Sequence, residues 1–447
     1  MSDQSPLPVR VVVVGLGRTG CSVARHLLER GARVAVTDSR AEPPELSTLL
    51  ALGCEVVVRP GGFDSALLAQ ADLVVVSPGV PTNGPFFDAA RARGLSIVGD
   101  IELFARAARA PVVGITGTNG KSTVTTLLAQ MAARSGLRIR AGGNLGPPAL
   151  DLLEDAAQLY VLELSSFQLQ TTSSLALAAA AVLNVTPDHL DRYTDLRAYA
   201  AAKARIFARC DVAVINLDDP LVAAMAVRGQ RTLSFSLRAT VGADYALMQR
   251  DGGNWWLMQH GEALLALAEL PLRGLHNAAN ALAALALAEA LALPRAGCLE
   301  ALRAFAGLPH RTQWLGEIGG VHYVNDSKGT NVGATLAAVA GMQGPLILIA
   351  GGDGKAQDFT PLRAAFAGKV RLALLIGRDA RALGSALDGV CECRYAPSLE
   401  SAVESAALLA RAGDTVLLSP ACASLDMFRD YAHRGSVFAA AVQKLAA

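Results

Sequence analysis

From position 11 onward the chain repeats one pattern: a short run rich in β-branched residues, a glycine turn, an amphipathic stretch of about ten to fifteen residues, then another run. Strands alternating with helices in this way predict parallel sheets covered by helices. The pattern falls into three blocks. The first holds runs at 11–14, 33–37, 55–58, 73–76 and 96–98. The second opens at 111–116, continues through 159–164, 179–184 and 212–216, and closes with a more β-rich patch at 232–237 and 255–258 and a long Ala/Leu helix over 277–293. The third has runs at 321–325, 346–350, 372–376 and 415–419. The helix-like DIELFARAARA segment before Pro111 and the GLPHR turn at 307–311 predict the junctions, placing domains at 1–99, 100–309 and 310–447. No repeat of fixed period and no long polar linker interrupts the pattern.

Composition narrows the class. Of 447 residues, 52% are hydrophobic and 18% charged, which excludes a disordered or low-complexity chain and predicts large buried cores. Forty Lys and Arg against 39 Asp and Glu leave +1, so no bulk field attracts nucleic acid or an anionic membrane, and phosphate recognition has to be local. The Ala/Leu-rich runs fall short of the roughly 18 apolar residues of a membrane span. With no charged n-region before the first apolar run, a cytoplasmic location without membrane insertion is expected. The seven cysteines (Cys21, Cys54, Cys210, Cys298, Cys391, Cys393 and Cys422) are scattered, and Cys391 and Cys393 have the wrong spacing for a metal knuckle, so reduced thiols are expected.

The candidate chemistry sits where runs end in glycine turns. Gly15-Leu16-Gly17-Arg18-Thr19-Gly20 follows a strand and opens a helix, and Asp38 ends the next strand. This is the spacing of a dinucleotide-binding fingerprint: the glycines let backbone approach a diphosphate, and the carboxylate accepts from a ribose or base donor. Whether the diphosphate belongs to NAD or another nucleotide stays open. Gly117-Thr118-Asn119-Gly120-Lys121-Ser122-Thr123 is a second phosphate loop, in which backbone N–H groups cradle phosphates, Lys121 neutralises them and a hydroxyl ligates Mg2+. It departs from the strict pattern because Ile115 stands where the first Gly belongs.

Glu163 ends an apolar strand, where an uncompensated carboxylate would be costly but a ligand of the same Mg2+ is explained. His189 follows the next strand, in NVTPDHLD, and both a structural and a ligand reading stay open. Helical spacing puts Lys203 on an apolar stripe with Tyr199 and Phe207. Either it snorkels to solvent, or its charge is removed or matched at a site; burial favours the neutral amine that covalent modification requires. In the third block NDSKGTN (325–331), GGDGK (351–355) and SPACASLD (419–426) each follow an apolar run. Parallel strands would gather these loops at one edge, where their lysines, hydroxyls and carboxylates suit a small anionic substrate.

Assembled in order, GLGRTG, VTDSR, SPGVP, GDIELF, GTNGKST, GGNLG, LELSSFQL, NVTPDHLDRY, KARIF, GLHNAAN, GLPHR, NDSKGTN, GGDGK and SPACASLDMF resemble the Mur ligases nearly end to end. The resemblance implies an α/β protein of three domains: an N-terminal Rossmann-like domain, a central P-loop ATPase-like domain with a mostly parallel sheet, and a C-terminal Rossmann-like domain. It implies an enzyme that joins glutamate, expected as the D form, to UDP-N-acetylmuramoyl-L-alanine through an acyl phosphate, in peptidoglycan precursor synthesis. By the same resemblance UDP-sugar falls to Gly15, Leu16, Gly17, Thr19, Asp38, Ser39, Ser77, Asn144 and His189. ATP falls to residues Gly117, Thr118, Asn119, Gly120, Lys121, Ser122 and Thr123 with Asn277, Asn280, Arg311 and Asp326. Two Mg2+ sites, with Mn2+ as an alternative, would use Ser122 with Glu163, and His189 with Lys203 carbamylated by CO2. Catalysis would rest on Lys121, Glu163, His189 and Lys203. Lys328, Thr330, Lys355, Ser424, Leu425 and Tyr431 would grip glutamate, Tyr431 standing where the family often has Phe. A monomer is expected.

Three other readings follow from parts of the sequence. A nicotinamide-dependent oxidoreductase accounts for the first glycine motif and leaves the second loop, Glu163 and Lys203 unexplained. A non-catalytic nucleotide-binding scaffold predicts no phosphate release. A sister ligase would add another amino acid or act on folate. Residue types alone leave the hand of the glutamate open.

Overall fold

The computed structural model describes residues 9–53, 56–144, 146–238, 242–250, 252–272, 274–342 and 344–445. Each block of the sequence pattern builds one sheet. The first sheet holds β1 (Arg10–Val14), β2 (Arg33–Asp38), β3 (Val57–Pro60), β4 (Leu73–Val76) and β5 (Ser96–Val98), all parallel, in the order β3-β2-β1-β4-β5. Its order reverses between β1 and β4, the crevice at which doubly wound sheets hold ligands.

The second sheet has β6 (Val112–Thr116), β7 (Ile139–Gly143), β8 (Leu159–Glu163), β9 (Leu177–Val182), β10 (Cys210–Asn216), β11 (Arg231–Ser236), β12 (Tyr245–Arg250), β13 (Asn254–Gln259) and β14 (Glu262–Ala266). Their order is β14-β13-β12-β11-β10-β9-β6-β8-β7, parallel except for the β12-β13-β14 meander. The third sheet contains β15 (Gln313–Ile318), β16 (Val321–Asn325), β17 (Leu346–Gly351), β18 (Val370–Ile376), β19 (Glu392–Tyr395) and β20 (Thr415–Leu418), in the order β15-β16-β20-β17-β18-β19. Only β15 runs antiparallel to its neighbour there.

The apolar runs lie on strands, with ends displaced by a residue or two. Cys54 and Glu55, the start of the run at 55–58, lie outside the described residues. The long Ala/Leu helix is Leu275–Ala290 rather than 277–293. Ala292 takes a left-handed φ of 54°, and Pro294 disfavours helical backbone in the residue before it. Five strands, β7, β12, β14, β15 and β19, are not among the expected runs. Four of them, β7, β14, β15 and β19, are the outermost strands of their sheets. An edge strand is covered incompletely and tolerates Arg, Glu and Gly, as β7, β15 and β19 show, although the edge strands β3 and β5 keep recognisable apolar runs.

Core packing explains how the domains relate. One apolar cluster runs continuously from Val13 and Leu27 in the first domain, through Ile101 and Phe104, to Leu162, Leu177 and Ile206 in the central one. The Phe104 and Tyr160 rings meet edge to face, 5.1 Å apart between centroids. Across the central sheet, helices Lys121–Arg134 and Leu275–Ala290 fill the opposite cluster, the second being mostly apolar and accordingly largely buried. The third domain has two apolar clusters of its own, one on each face of its sheet. Polar side chains, described below, join it to the central domain across the site, so that junction is the one suited to opening and closing.

Candidate active site

The phosphate loop leaves β6 and enters helix Lys121–Arg134 through Gly117 (φ 151°) and Gly120 (φ 86°), backbone conformations that favour glycine. Within the loop Lys121 Nζ donates to the carbonyls of Gly117 and Thr118, at 2.9 and 3.0 Å. Glu163 lies at the end of β8, beside β6, and its carboxylate is held by two side chains of the central domain. Ser122 Oγ donates to Oε2 at 2.6 Å and Asn144 Nδ2 to Oε1 at 2.7 Å, while Arg311 of the third domain reaches Ser122 Oγ. Burial alone would raise the Glu163 pKa, but the Lys121 charge and the bonds from Ser122 and Asn144 outweigh it and hold the carboxyl below its usual value. Burial lowers the pKa of Lys121, with Glu163 opposing.

Lys203 is 1% exposed, settling the choice between a snorkelling and a sequestered amine. Its Nζ donates to Gly117 O at 2.9 Å and stands 4.3 Å from the centre of the Tyr199 ring. Burial, reinforced by the Lys121 charge, drives its pKa far down. His189 has a left-handed φ of 55° and packs against Phe167 and Tyr199, with ring centroids 5.0 and 6.3 Å away. Burial lowers its pKa although Asp188 pulls the other way. Both residues predicted for a second metal therefore pack on Tyr199 beside the phosphate loop.

In the third domain the loops after β16, β17 and β20 do meet at one edge, because those strands are neighbours in the order β16-β20-β17. Those after β16 and β17 bond to the central domain. Lys355 Nζ donates to Asp188 Oδ1 at 3.1 Å, Asn331 Nδ2 donates to Asp188 Oδ2 at 3.1 Å, and Asn331 also pairs with Asn119. Asp326 is buried, accepting from Thr312 N–H and Ser419 Oγ, and burial lifts its carboxyl to about 6. Lys328 Nζ lies 3.8 Å from the centre of the Tyr431 ring. Burial, with Arg311 and Lys121 adding to it, lowers this lysine to about 7. Thr330 is half-buried and Ser424 is buried on the same rim, whereas the Leu425 side chain is 72% exposed and contributes little more than backbone.

A single cleft between the central and third domains is lined by Asn119, Gly120, Thr123, Asn277, Asn280 and Arg311, with Asp326 and Lys328 on its far wall. Phe235, Leu272 and His276 also line it, on its apolar side. The sequence reading gave these no role: Phe235 falls in an ordinary strand pattern, and within GLHNAAN only Asn277 and Asn280 were assigned one. It also passed over the partners of Asp188, which only tertiary structure assembles. Asn184 was missed as well: its Oδ1 accepts from Asn119 N–H at 2.8 Å and its Nδ2 donates to Asn119 O at 3.0 Å, clamping the phosphate loop.

At the first domain, Ser77 Oγ donates to Gly15 O at 2.8 Å, tying the glycine turn to the end of β4, and Gly17 caps the helix that contains Thr19. Leu16 buries its side chain and offers only its backbone; Ser39 is exposed. Asp38 needs a correction to the simple picture of a ligand acceptor. Its oxygens already accept from Leu16 N–H at 2.6 Å and from the Arg40 backbone N–H, Nε and Nη2. Burial opposes the charge, but the Arg40 and Leu16 bonds prevail and bring the carboxyl to about 2. A ligand donor reaches Asp38 only by displacing the half-exposed Arg40 side chain. The rim of this domain abuts the rest of the site: Arg18 donates to Gly146 O beside Asn144, and Arg192 donates to Gly79 O beside Ser77.

The donor set admits Mg2+ at one place. Ser122 Oγ and Glu163 Oε2 are adjacent hard oxygens, and Mg2+ characteristically takes one or two carboxylates together with substrate phosphates. Among the described residues no group of three His, Cys, Asp or Glu is arranged to hold a metal. His189 and Lys203 themselves offer nitrogen only, and Lys203 becomes an oxygen donor only if its amine carries a carboxylate; the Asp188 carboxylate stands 3.8 Å from His189 Nε2.

Three strands of comparison place this architecture. Family models match residues 9–99 (Mur ligase MurD-like, N-terminal domain), 115–288 (Mur ligase middle domain) and 310–422 (Mur ligase, glutamate ligase domain). The chain belongs to the Mur ligase family, whose members use ATP. It is 53% identical over 437 residues to the UDP-N-acetylmuramoylalanine--D-glutamate ligase of Nitrosococcus oceani, covering 97% of this chain and 96% of that protein. It is 52% identical over 441 residues to the protein of the same name from Methylobacillus flagellatus, covering 98% and 97%. Among solved structures, the UDP-N-acetylmuramate-alanine ligase MurC of Thermotoga maritima superposes with TM-score 0.62 and 19% identity, over 97% of this chain and 99% of that one. A pseudomurein peptide ligase type C from Methanothermus fervidus gives 0.64 and 18%, over 98% and 99%. At those identities the likeness speaks to fold alone, and the three-domain α/β architecture is shared. No described helix is long and apolar enough to cross a membrane.

Proposed function

We propose that this chain is an ATP-dependent ligase that joins D-glutamate to UDP-N-acetylmuramoyl-L-alanine, releasing ADP and phosphate. The observation that carries the reading is the cleft in which the phosphate loop of the central domain faces the loop after β16 of the third, with Arg311 spanning to Ser122 and Lys355, from the loop after β17, reaching Asp188. The names of the half-identical relatives support the same substrates and the D form of the amino acid. A nicotinamide oxidoreductase leaves that cleft without a purpose, and a scaffold has no use for lysines buried around it. The units meet near 99 and 309, and the chain works as a cytoplasmic monomer.

In this reading the first domain holds the UDP-sugar at Gly15, Leu16, Gly17, Thr19, Asp38, Ser39 and Ser77, and Asn144 and His189 steer its alanyl end toward the phosphate loop. Gly117 to Thr123 cradle the ATP phosphates, while Asn277, Asn280, Arg311 and Asp326 hold the nucleotide across the domain junction. Ser122 and Glu163 would hold one Mg2+, and His189 with carbamylated Lys203 a second; bound there, such ions would supply positive charge to the phosphoryl oxygens. Carbamylation joins the neutral Lys203 nitrogen to the carbon of CO2 and releases a proton, and the low pKa of this amine supports it.

The alanyl carboxylate oxygen attacks the γ-phosphorus, the bond from that phosphorus to the ADP oxygen breaks, and Lys121 stabilises the equatorial oxygens. Lys328, Thr330, Lys355, Ser424 and Tyr431, with Leu425 through its backbone, orient glutamate so that its neutral amine attacks the acyl carbon. Loss of the amine proton and departure of phosphate leave an amide. Orientation of this kind is worth roughly 7–11 kcal/mol. Closure of the third domain also keeps water from the acyl phosphate. Phosphate release with ATP, UDP-N-acetylmuramoyl-L-alanine and a panel of D- and L-amino acids tests the reading. Release that depends on D-glutamate is expected; release with a different amino acid, or none, would overturn it.

A further inference from the structure

Arg434 is the largest fully buried side chain of the described residues, and no carboxylate among them forms an ion pair with it. It lies in the C-terminal helix Tyr431–Leu445, outside every motif singled out in the sequence. A guanidinium 1% exposed is expensive to bury unless its donors are satisfied and its charge has a use. Its donors are satisfied by neutral acceptors on two loops. Nε donates to Ser327 Oγ at 3.0 Å, Nη2 to Ser327 O at 2.8 Å and Nη1 to Cys422 O at 3.2 Å.

Ser327 precedes Lys328 in the loop after β16, and Cys422 lies two positions before Ser424 in the loop after β20. The planar fork of arginine therefore bridges the two loops that carry the amino-acid grip, a span the point charge of lysine does not reproduce. The surrounding bonds reinforce this one arrangement. Ser327 Oγ donates to Tyr431 O at 2.8 Å, and Asn325 Nδ2 donates to Gly435 O at 2.9 Å. Gly435 admits no side chain, because a Cβ there would run into the His310 ring.

We infer that Arg434 is a positioning residue for the amino-acid pocket: it sets the distance between Lys328 and Ser424 and places behind them a positive charge that no described carboxylate contacts directly, favouring a dicarboxylate amino acid. The inference rests on the proposed function, and its test separates the two. Apparent KM values for D-glutamate, ATP and UDP-N-acetylmuramoyl-L-alanine are measured by phosphate release for the full chain and for Arg434→Lys and Ser327→Ala, with the thermal transition of each recorded.

Arg434→Lys, which keeps charge and loses the fork, is expected to raise the glutamate KM about tenfold, as for one misaligned charge-assisted hydrogen bond, and to move the other two less than about twofold. Ser327→Ala, which removes one acceptor, is expected to raise the glutamate KM about threefold in the same selective way. A purely structural role would lower the thermal transition and leave the KM values of the folded fraction alone. An unchanged glutamate KM in a folded Arg434→Lys, or equal changes in all three KM values, overturns the inference. Should Arg434→Lys not fold, Ser327→Ala decides by the same criterion. Parent protein that releases no phosphate with glutamate would instead refute the function and take this inference with it.

Discussion

Lys203 Nζ lies 2.9 Å from the carbonyl oxygen of Gly117, the first residue of the phosphate loop. A buried lysine with its strongest contact to a neutral carbonyl, and another lysine contributing to its low pKa, is poised to lose its charge. Lys203→Ala is therefore expected to reduce turnover about 100-fold or more, with partial rescue by added short carboxylates that take the place of the carbamate. A fully active variant would refute the metal-bridging role.

Lys121 answers to a different test, since it touches only the loop that holds the phosphates. Lys121→Ala should lower ATP-dependent phosphate release by about 100–1000-fold while largely sparing binding of the UDP-sugar, measured by calorimetry. Loss of both would point to a folding role.

Lys355 is claimed by two partners. In this structure it pairs with Asp188, yet it is also expected to grip glutamate. If one ammonium serves both, Lys355→Ala raises the apparent KM for glutamate more than that for ATP, whereas Asp188→Asn releases the lysine and lowers it. A coupling of about 0.5–3 kcal/mol in the double-mutant cycle is expected. Parallel increases from both substitutions would make the pair a domain clasp and remove Lys355 from the pocket.

The burial of Lys328 has a pH consequence. With its pKa lowered to about 7, the ammonium is present below that pH and lost as pH rises through it. The apparent KM for glutamate should therefore climb between pH 7 and pH 9, by at most about tenfold per unit, and Lys328→Arg should flatten the rise. A flat profile in the parent protein would exclude Lys328 from carboxylate binding.

Much of this protein is determined by local sequence. Runs such as Val11 to Val14 and Leu73 to Val76 are legible because a parallel strand buried on both faces needs uninterrupted apolar residues. The Gly117 and Gly120 turns are legible because their backbone conformations favour glycine. The edge strands β7, β15 and β19 were not, because incomplete cover lets Arg, Glu and Gly interrupt their apolar runs. The site divides along the same line. Lys121 opens the helix that follows β6, Glu163 ends β8 and Lys328 lies in the loop after β16, places that chain order announces. The Asp188–Lys355 pair, the Arg311 contact with Ser122, and the Arg434 bridge join residues separated by 12 to 189 positions. Such contacts depend on which strands became neighbours and how two domains closed, and no local pattern of residues records either. Tertiary structure alone also decided that Lys203 is sealed rather than snorkelling, because the same apolar stripe permits both until a second element covers it.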